Sequence, residues 1–132
     1  MLVETGGYGL MGSEMAKIMD IKRLSHQDIE IRDPDSVKKA LKGADLVLHL
    51  AAYVDVVGAE RDRNLAYDTN VLGARNVAHE AQTLYISTDY VFDGRKGNYN
   101  EEDTVNPLQY YGWSKYLGER AVLNVGTITL CL

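Results

Sequence analysis

Three observations in the sequence predict an α/β fold, a doubly wound parallel sheet with helices on both faces. Segments patterned like strands alternate with segments patterned like helices along the whole chain. The first strand ends in a glycine-rich turn, Thr5-Gly6-Gly7-Tyr8-Gly9-Leu10-Met11-Gly12, that leads into a helix. Asp45 to Ala51 is an almost continuous apolar run, as expected of a parallel strand covered on both faces. Together they make the pattern Rossmann-like.

The elements follow in order. Met1 to Glu4 is a short strand, Ser13 to Met19 a helix, and Ile21 to Ser25 and Ile29 to Ile31 two short strands. Asp33-Pro34 opens a helix, with aspartate as N-cap, proline at the first helical position and Gly43 just past the end. Asp45 to Ala51 is the central strand. Glu60 to Gln82 is the longest helix, its Leu65, Ala66, Val71, Leu72, Ala74, Val77 and Ala78 falling at helical spacing. Leu84 to Ser87 is a strand, Asp93 to Pro107 a polar loop, Leu108 to Leu123 a helix and Thr127 to Leu132 a last strand. Two connections are tight. Only Gln82-Thr83 separate the long helix from the next strand, with no glycine, and the first helix is about two turns long. The expectation drawn is that internal pieces are absent from the chain as written at these joins.

Composition narrows the function classes. A chain of 132 residues is one domain with a single core. A net charge of -5 gives no support to nucleic acid or an anionic membrane as partner. The longest apolar run, Leu46 to Val54, is too short to span a bilayer and carries His49. The start lacks a basic region and is not expected to be a signal peptide. The single cysteine, Cys131, excludes an internal disulfide, fits a reducing cytoplasm and is read as buried packing.

The candidate site lies at the carboxyl ends of the strands. In the turn, Gly6 permits the tight bend, Gly9 lets backbone approach a pyrophosphate, and Gly12 lets helix and strand pack closely. Lys22, Arg23, Ser25 and His26 follow the second strand, with no acid until Asp28. Basic residues there suit a 2′-phosphate, and equally suit a solvated surface. Ala51-Ala52-Tyr53 ends the central strand with small residues against which a cofactor can lie. Ser87-Thr88 ends the next one with hydroxyls able to orient a carbonyl. Tyr111 and Lys115, four apart, share a helix face, and an ammonium beside a phenol stabilises its anion and lowers its pKa. Tyr110 points elsewhere. His49 reads as a core residue, and neither His26 nor His79 has companions at metal-ligand spacing, so no metal is expected. A proton-donating phenol and a dinucleotide turn point to a nicotinamide-dependent oxidoreductase.

These motifs, in this order, resemble the extended short-chain dehydrogenase/reductase superfamily. Within it, the runs Ser87 to Gly94, Gly97 to Asp103 and Asn106 to Lys115 with Gly118-Glu119 resemble the dTDP-4-dehydrorhamnose reductase family. Ala51 to Val56 with Ala59-Glu60, and Asn70 to Ala74, fit the same pattern over essentially the whole chain. The resemblance implies hydride transfer from NADPH or NADH to the 4-keto group of dTDP-4-dehydro-L-rhamnose, giving dTDP-L-rhamnose. It implies Tyr111 as proton donor, Lys115 at the nicotinamide ribose, and Thr88 with Asp89 positioning the sugar. The cofactor is then seated over Gly6, Tyr8, Gly9, Leu10, Met11 and Gly12, with Glu30-Ile31 near the adenine and Ala51, Ala52 and Tyr53 alongside. Asn70 supports the site from its helix. Glu30-Ile31-Arg32-Asp33 and Val54 depart from the family pattern, and the C-terminal part that grips the nucleotide-sugar does not follow Leu132. Two alternatives remain: a nucleotide-sugar epimerase or dehydratase on the same scaffold, and a cofactor-binding regulatory module resembling the methionine adenosyltransferase regulatory subunit. A nucleotide-sugar is the expected partner, a homodimer an open expectation.

Overall fold

The computed structural model describes residues 1–125 and 128–130; the Cys131 reading and the ends of the last predicted strand lie outside them. The described strands are β1 (Leu2–Thr5), β2 (Lys22–Leu24), β3 (Leu46–His49), β4 (Gln82–Ile86) and β5 (Ile128–Leu130). They form one parallel sheet in the order β2-β1-β3-β4-β5. The helices are α1 (Leu10–Met15), α2 (Pro34–Ala40), α3 (Val56–Arg61), α4 (Arg63–Tyr67), α5 (Ala74–Glu80) and α6 (Tyr110–Leu123). The step from β1 to β2 runs toward one edge of the sheet and every later step toward the other. Right-handed crossovers therefore place α1 on one face and the remaining helices on the opposite one.

The core is built on that second face. Val3 and Val47, at the centres of β1 and β3, are covered by Val37 and Leu41 at α2 and by Val77 of α5. Ala74 and Ala78 of α5 meet Tyr85 of β4 and Val122 of α6, small residues allowing the two helices to come together. Ala59, Ala66 and Tyr111 form a third cluster with Tyr53, Val56 and Tyr110 packed on it.

Four expectations are corrected. Ile29 to Ile31 is not a strand. The Asp28 carboxylate accepts from the Ser25 backbone N–H, Glu30 N–H donates to Ser36 Oγ, and both isoleucines drop into the core from a turn. Such side-chain bonds offer the backbone an alternative to a ladder. The long helix begins at Val56, capped by Asp55, and is broken at Asp62, whose φ of -129° and ψ of 76° leave the helical region. Asp62 caps α4 in turn, accepting from Leu65 N–H. Asp68–Gly73 is then a π-helical turn before α5. The tight join after α5 is crossed by Ala81 alone, in an extended conformation, with Gln82-Thr83 already in β4. The first helix starts earlier than predicted, Gly9 standing as its N-cap, and is six residues long. Among the described residues no helix is long and apolar enough to cross a membrane.

Candidate active site

The strands of a parallel sheet end together at one edge, where ligands of such sheets bind. The first wall is the glycine turn. Gly6 sits at φ 68°, and a Cβ on it would lie 2.8 Å from the backbone nitrogen of Ala51, so β1 and β3 come this close only with glycine. The turn is also braced from β2. Arg23 donates to the Gly7 carbonyl oxygen from Nε at 2.9 Å and to Ser13 Oγ at 3.1 Å, with its guanidinium 4.2 Å from the Tyr8 ring centre. Its ion pair with Glu4 is 3.3 Å long. Burial pushes the Glu4 carboxyl above its usual range, and Arg23 opposes that rise. Arg23 thus braces the turn, a role with no local signal in the sequence.

A cavity of about 710 Å³ opens beside this turn. Gly6, Tyr8, Gly9, Leu10, Met11, Gly12, Glu30, Ile31, Ala51, Ala52 and Tyr53 all line it, with Ser25, His26, Arg32, Leu65 and Thr69. Leu65, read as a core position, faces the cavity, and Thr69 went unnoticed. Glu30 and Arg32 pair, Arg32 Nη2 to Glu30 Oε2 at 2.8 Å, and the hydrogen bonds from Arg32 hold Glu30 down to about 2. Tyr111, Lys115, Thr88 and Asp89 do not line this cavity. They stand past Tyr53, which packs in one cluster with Tyr111.

Thr88 and Asp89 follow β4, while helix α6 delivers Tyr111 and Lys115. Gln109 caps it, accepting from Gly112 N–H at 3.1 Å, and Glu60 of α3 accepts from Tyr110 N–H at 2.6 Å. Tyr110 turns away under the Arg63 guanidinium. Tyr111 is buried, with the Tyr90 ring edge-on at 5.9 Å. The Thr88 hydroxyl stands near enough to the phenol to influence its proton. Burial nevertheless raises the phenol's pKa, Thr88 opposing and Asp89 and Tyr90 adding to the rise. This reverses the expected fall, because burial is the largest influence on the phenol. The Lys115 ammonium, in a residue only 4% exposed, donates to the Ile86 carbonyl at 2.7 Å and lies 4.3 Å from the Tyr85 ring centre. Thr88 also caps the short helical turn Asp89–Val91, and Asp89 Oδ1 stands 3.4 Å from its hydroxyl.

Asn70, presented by the π-helical turn, ties the two halves together. Its Oδ1 accepts from Tyr53 N–H at 2.8 Å, and its Nδ2 donates to Tyr53 O at 3.0 Å and Ser114 Oγ at 2.8 Å. His49 is in the core as read, its Nδ1 2.7 Å from Thr5 Oγ1. A buried phenol beside a strand-end hydroxyl, with an ammonium one turn on, can hold and release a proton beside a bound molecule.

Residues 1–131 match the family described as the RmlD substrate binding domain. The chain is similar to the dTDP-4-dehydrorhamnose reductase of Aggregatibacter actinomycetemcomitans, 34% identical over 145 residues covering 99% of this chain and 49% of the relative. That alignment is longer than the 132 residues here, so the relative carries residues inside the match that this chain lacks. A crystal structure of dTDP-4-dehydrorhamnose reductase from Bacillus anthracis in complex with NADP superposes with a TM-score of 0.91 at 33% identity, over 98% of this chain and 51% of that one. Methionine adenosyltransferase 2 subunit beta of Danio rerio is 41% identical over 96 residues, 69% of this chain and 30% of the relative. The chain spans about half the length of the reductases it matches.

Proposed function

The chain belongs to the RmlD substrate binding domain family, and from that premise we propose that it forms the cofactor-binding half of a nucleotide-sugar reductase. The reaction is reduction of the 4-keto group of dTDP-4-dehydro-L-rhamnose to give dTDP-L-rhamnose, with Tyr111 as proton donor. The observation that carries this reading is the buried Tyr111 phenol beside Thr88, one helical turn from Lys115.

The residues present fit a dinucleotide. The cavity beside the glycine turn is lined by Glu30 and Arg32 as well as by Ala51 and Tyr53, and Gly6 leaves no side chain between the turn and Ala51. When bound, NADPH or NADH would supply the hydride that turns the carbonyl carbon into a carbinol carbon. The remaining work belongs to this chain. Thr88, beside the phenol, orients the carbonyl oxygen toward it. Tyr111 gives its proton to that oxygen as the alcohol forms, and Lys115 stabilises the phenolate left behind and holds the ribose. Asp89 positions the sugar. The raised pKa suits a donor, because the phenol is protonated at neutral pH before the reaction begins.

The test is NADPH consumption by the purified protein with dTDP-4-dehydro-L-rhamnose. Oxidation of NADPH with appearance of dTDP-L-rhamnose is expected. Cofactor binding with no turnover of a keto-sugar nucleotide overturns the reductase reading and leaves a binding module. NAD retained through purification, with recycling, points to an epimerase.

A further inference from the structure

We propose that Tyr85 is a positioning residue for Lys115, its ring forming the floor on which the ammonium is held at the carboxyl edge of β4. The proposal rests on the reading that Lys115 binds the cofactor ribose.

A lysine buried to 4% exposure needs partners for its charge, since an isolated ammonium out of water is very costly. The Ile86 carbonyl supplies one at 2.7 Å. The Tyr85 ring supplies a whole face, its centre 4.3 Å from Nζ, within the range where the ring quadrupole attracts a cation. The Tyr85 hydroxyl also reaches round to donate to the backbone oxygen of Lys115 at 3.3 Å. One side chain therefore grips both ends of the residue.

Tyr85 is itself fixed. It is 1% exposed, and its ring stacks on His49, centres 6.0 Å apart at 25°. His49 is anchored by Thr5, and Thr5, His49 and Tyr85 are aligned by sheet register across β1, β3 and β4. On the helix side the fit requires glycine: a Cβ on Gly118 would lie 2.4 Å from the Tyr85 hydroxyl oxygen. A column of three side chains across the sheet thus ends under the ammonium. A tyrosine serving only as core filler needs neither the ring face turned to Nζ nor the bond to Lys115.

The experiment combines lysine side-chain NMR with NADPH titration of the whole protein. In the unsubstituted protein the Lys115 ε-methylene signal, assigned by its loss in Lys115→Ala, is expected upfield from the tyrosine ring current. Tyr85→Phe keeps that shift and binds NADPH within about twofold. Tyr85→Met, which fills similar space without a ring, loses the shift and binds on the order of tenfold more weakly. An unshifted Lys115 signal in the unsubstituted protein overturns the proposal, whether or not Tyr85→Met folds. So does full affinity in Tyr85→Met where Lys115→Ala is weakened, a result that leaves the reductase reading standing. Full affinity in Lys115→Ala overturns the role of Lys115 and the proposal together.

Discussion

The Asn70 amide donates to Ser114 Oγ at 2.8 Å, and Ser114 Oγ donates in turn to the Tyr111 backbone oxygen at 2.8 Å. Through these two bonds a residue of the π-helical turn sets the helix that carries the phenol, while its other bonds clamp the chain leaving β3 at Tyr53. π-helical turns often mark functional positions.

Asn70→Ala strands the Tyr53 N–H and C=O and deprives Ser114 of its donor. A loss of about 2–4 kcal/mol is expected from unsatisfied buried groups, read as a shift in the urea midpoint at unchanged slope. A shift within about 0.5 kcal/mol would mean the clamp is dispensable.

Tyr111→Phe removes only the phenolic oxygen. Turnover of the keto-sugar should fall by about 10²–10⁴ while NADPH affinity stays within about twofold, since on the proposed function the group acts in proton transfer. Because burial raises the phenol's pKa above 10, the rate of the unsubstituted enzyme is expected to be flat through neutral pH on this account and to fall only as pH rises through that higher value. A pH-rate profile checks both limbs, and wild-type turnover in Tyr111→Phe removes it as the acid.

His49 makes the core acid-sensitive. Burial, with the Lys115 charge adding to it, pushes its pKa down from 6.5 to about 3, so the folded state holds it neutral while the unfolded chain protonates it. The unfolded state therefore binds more protons between those values. Stability is fully present above pH 6.5 and declines as pH falls toward 3, by up to about 1.4 kcal/mol per pH unit. Urea unfolding at pH 7.5, 6.5 and 5.5 measures the slope. His49→Leu should flatten it; an unaltered slope would assign the acid sensitivity elsewhere.

Much of the fold was legible because its signals are local. Asp33-Pro34 opens α2 with the Asp33 side chain accepting from Asp35 N–H, as the residues predict, and the apolar run at Leu46–His49 is the central strand. The failures are places where side chains competed with the backbone. Ile29 and Ile31 alternate as in a strand, but Asp28 and Ser36 take the neighbouring amide bonds and make a turn. Asp62 falls inside the predicted helix Glu60 to Gln82, yet its carboxylate caps the next helix and breaks the run.

The candidate site divides the same way. Sequence alone determined the glycine turn, the strand-end small residues and the Tyr111–Lys115 pair, because each depends on spacings of a few residues within one element. Only the tertiary structure decided that Arg23 braces the turn, that Asn70 holds Ser114, and that Tyr85 lies beneath Lys115. It also decided the direction of the Tyr111 pKa, which follows from burial rather than from the lysine one turn away. Partners 44 residues apart, such as Thr5 with His49 or Asn70 with Ser114, meet only once register aligns the strands and crossovers lay the helices on the sheet. No local pattern encodes that geometry.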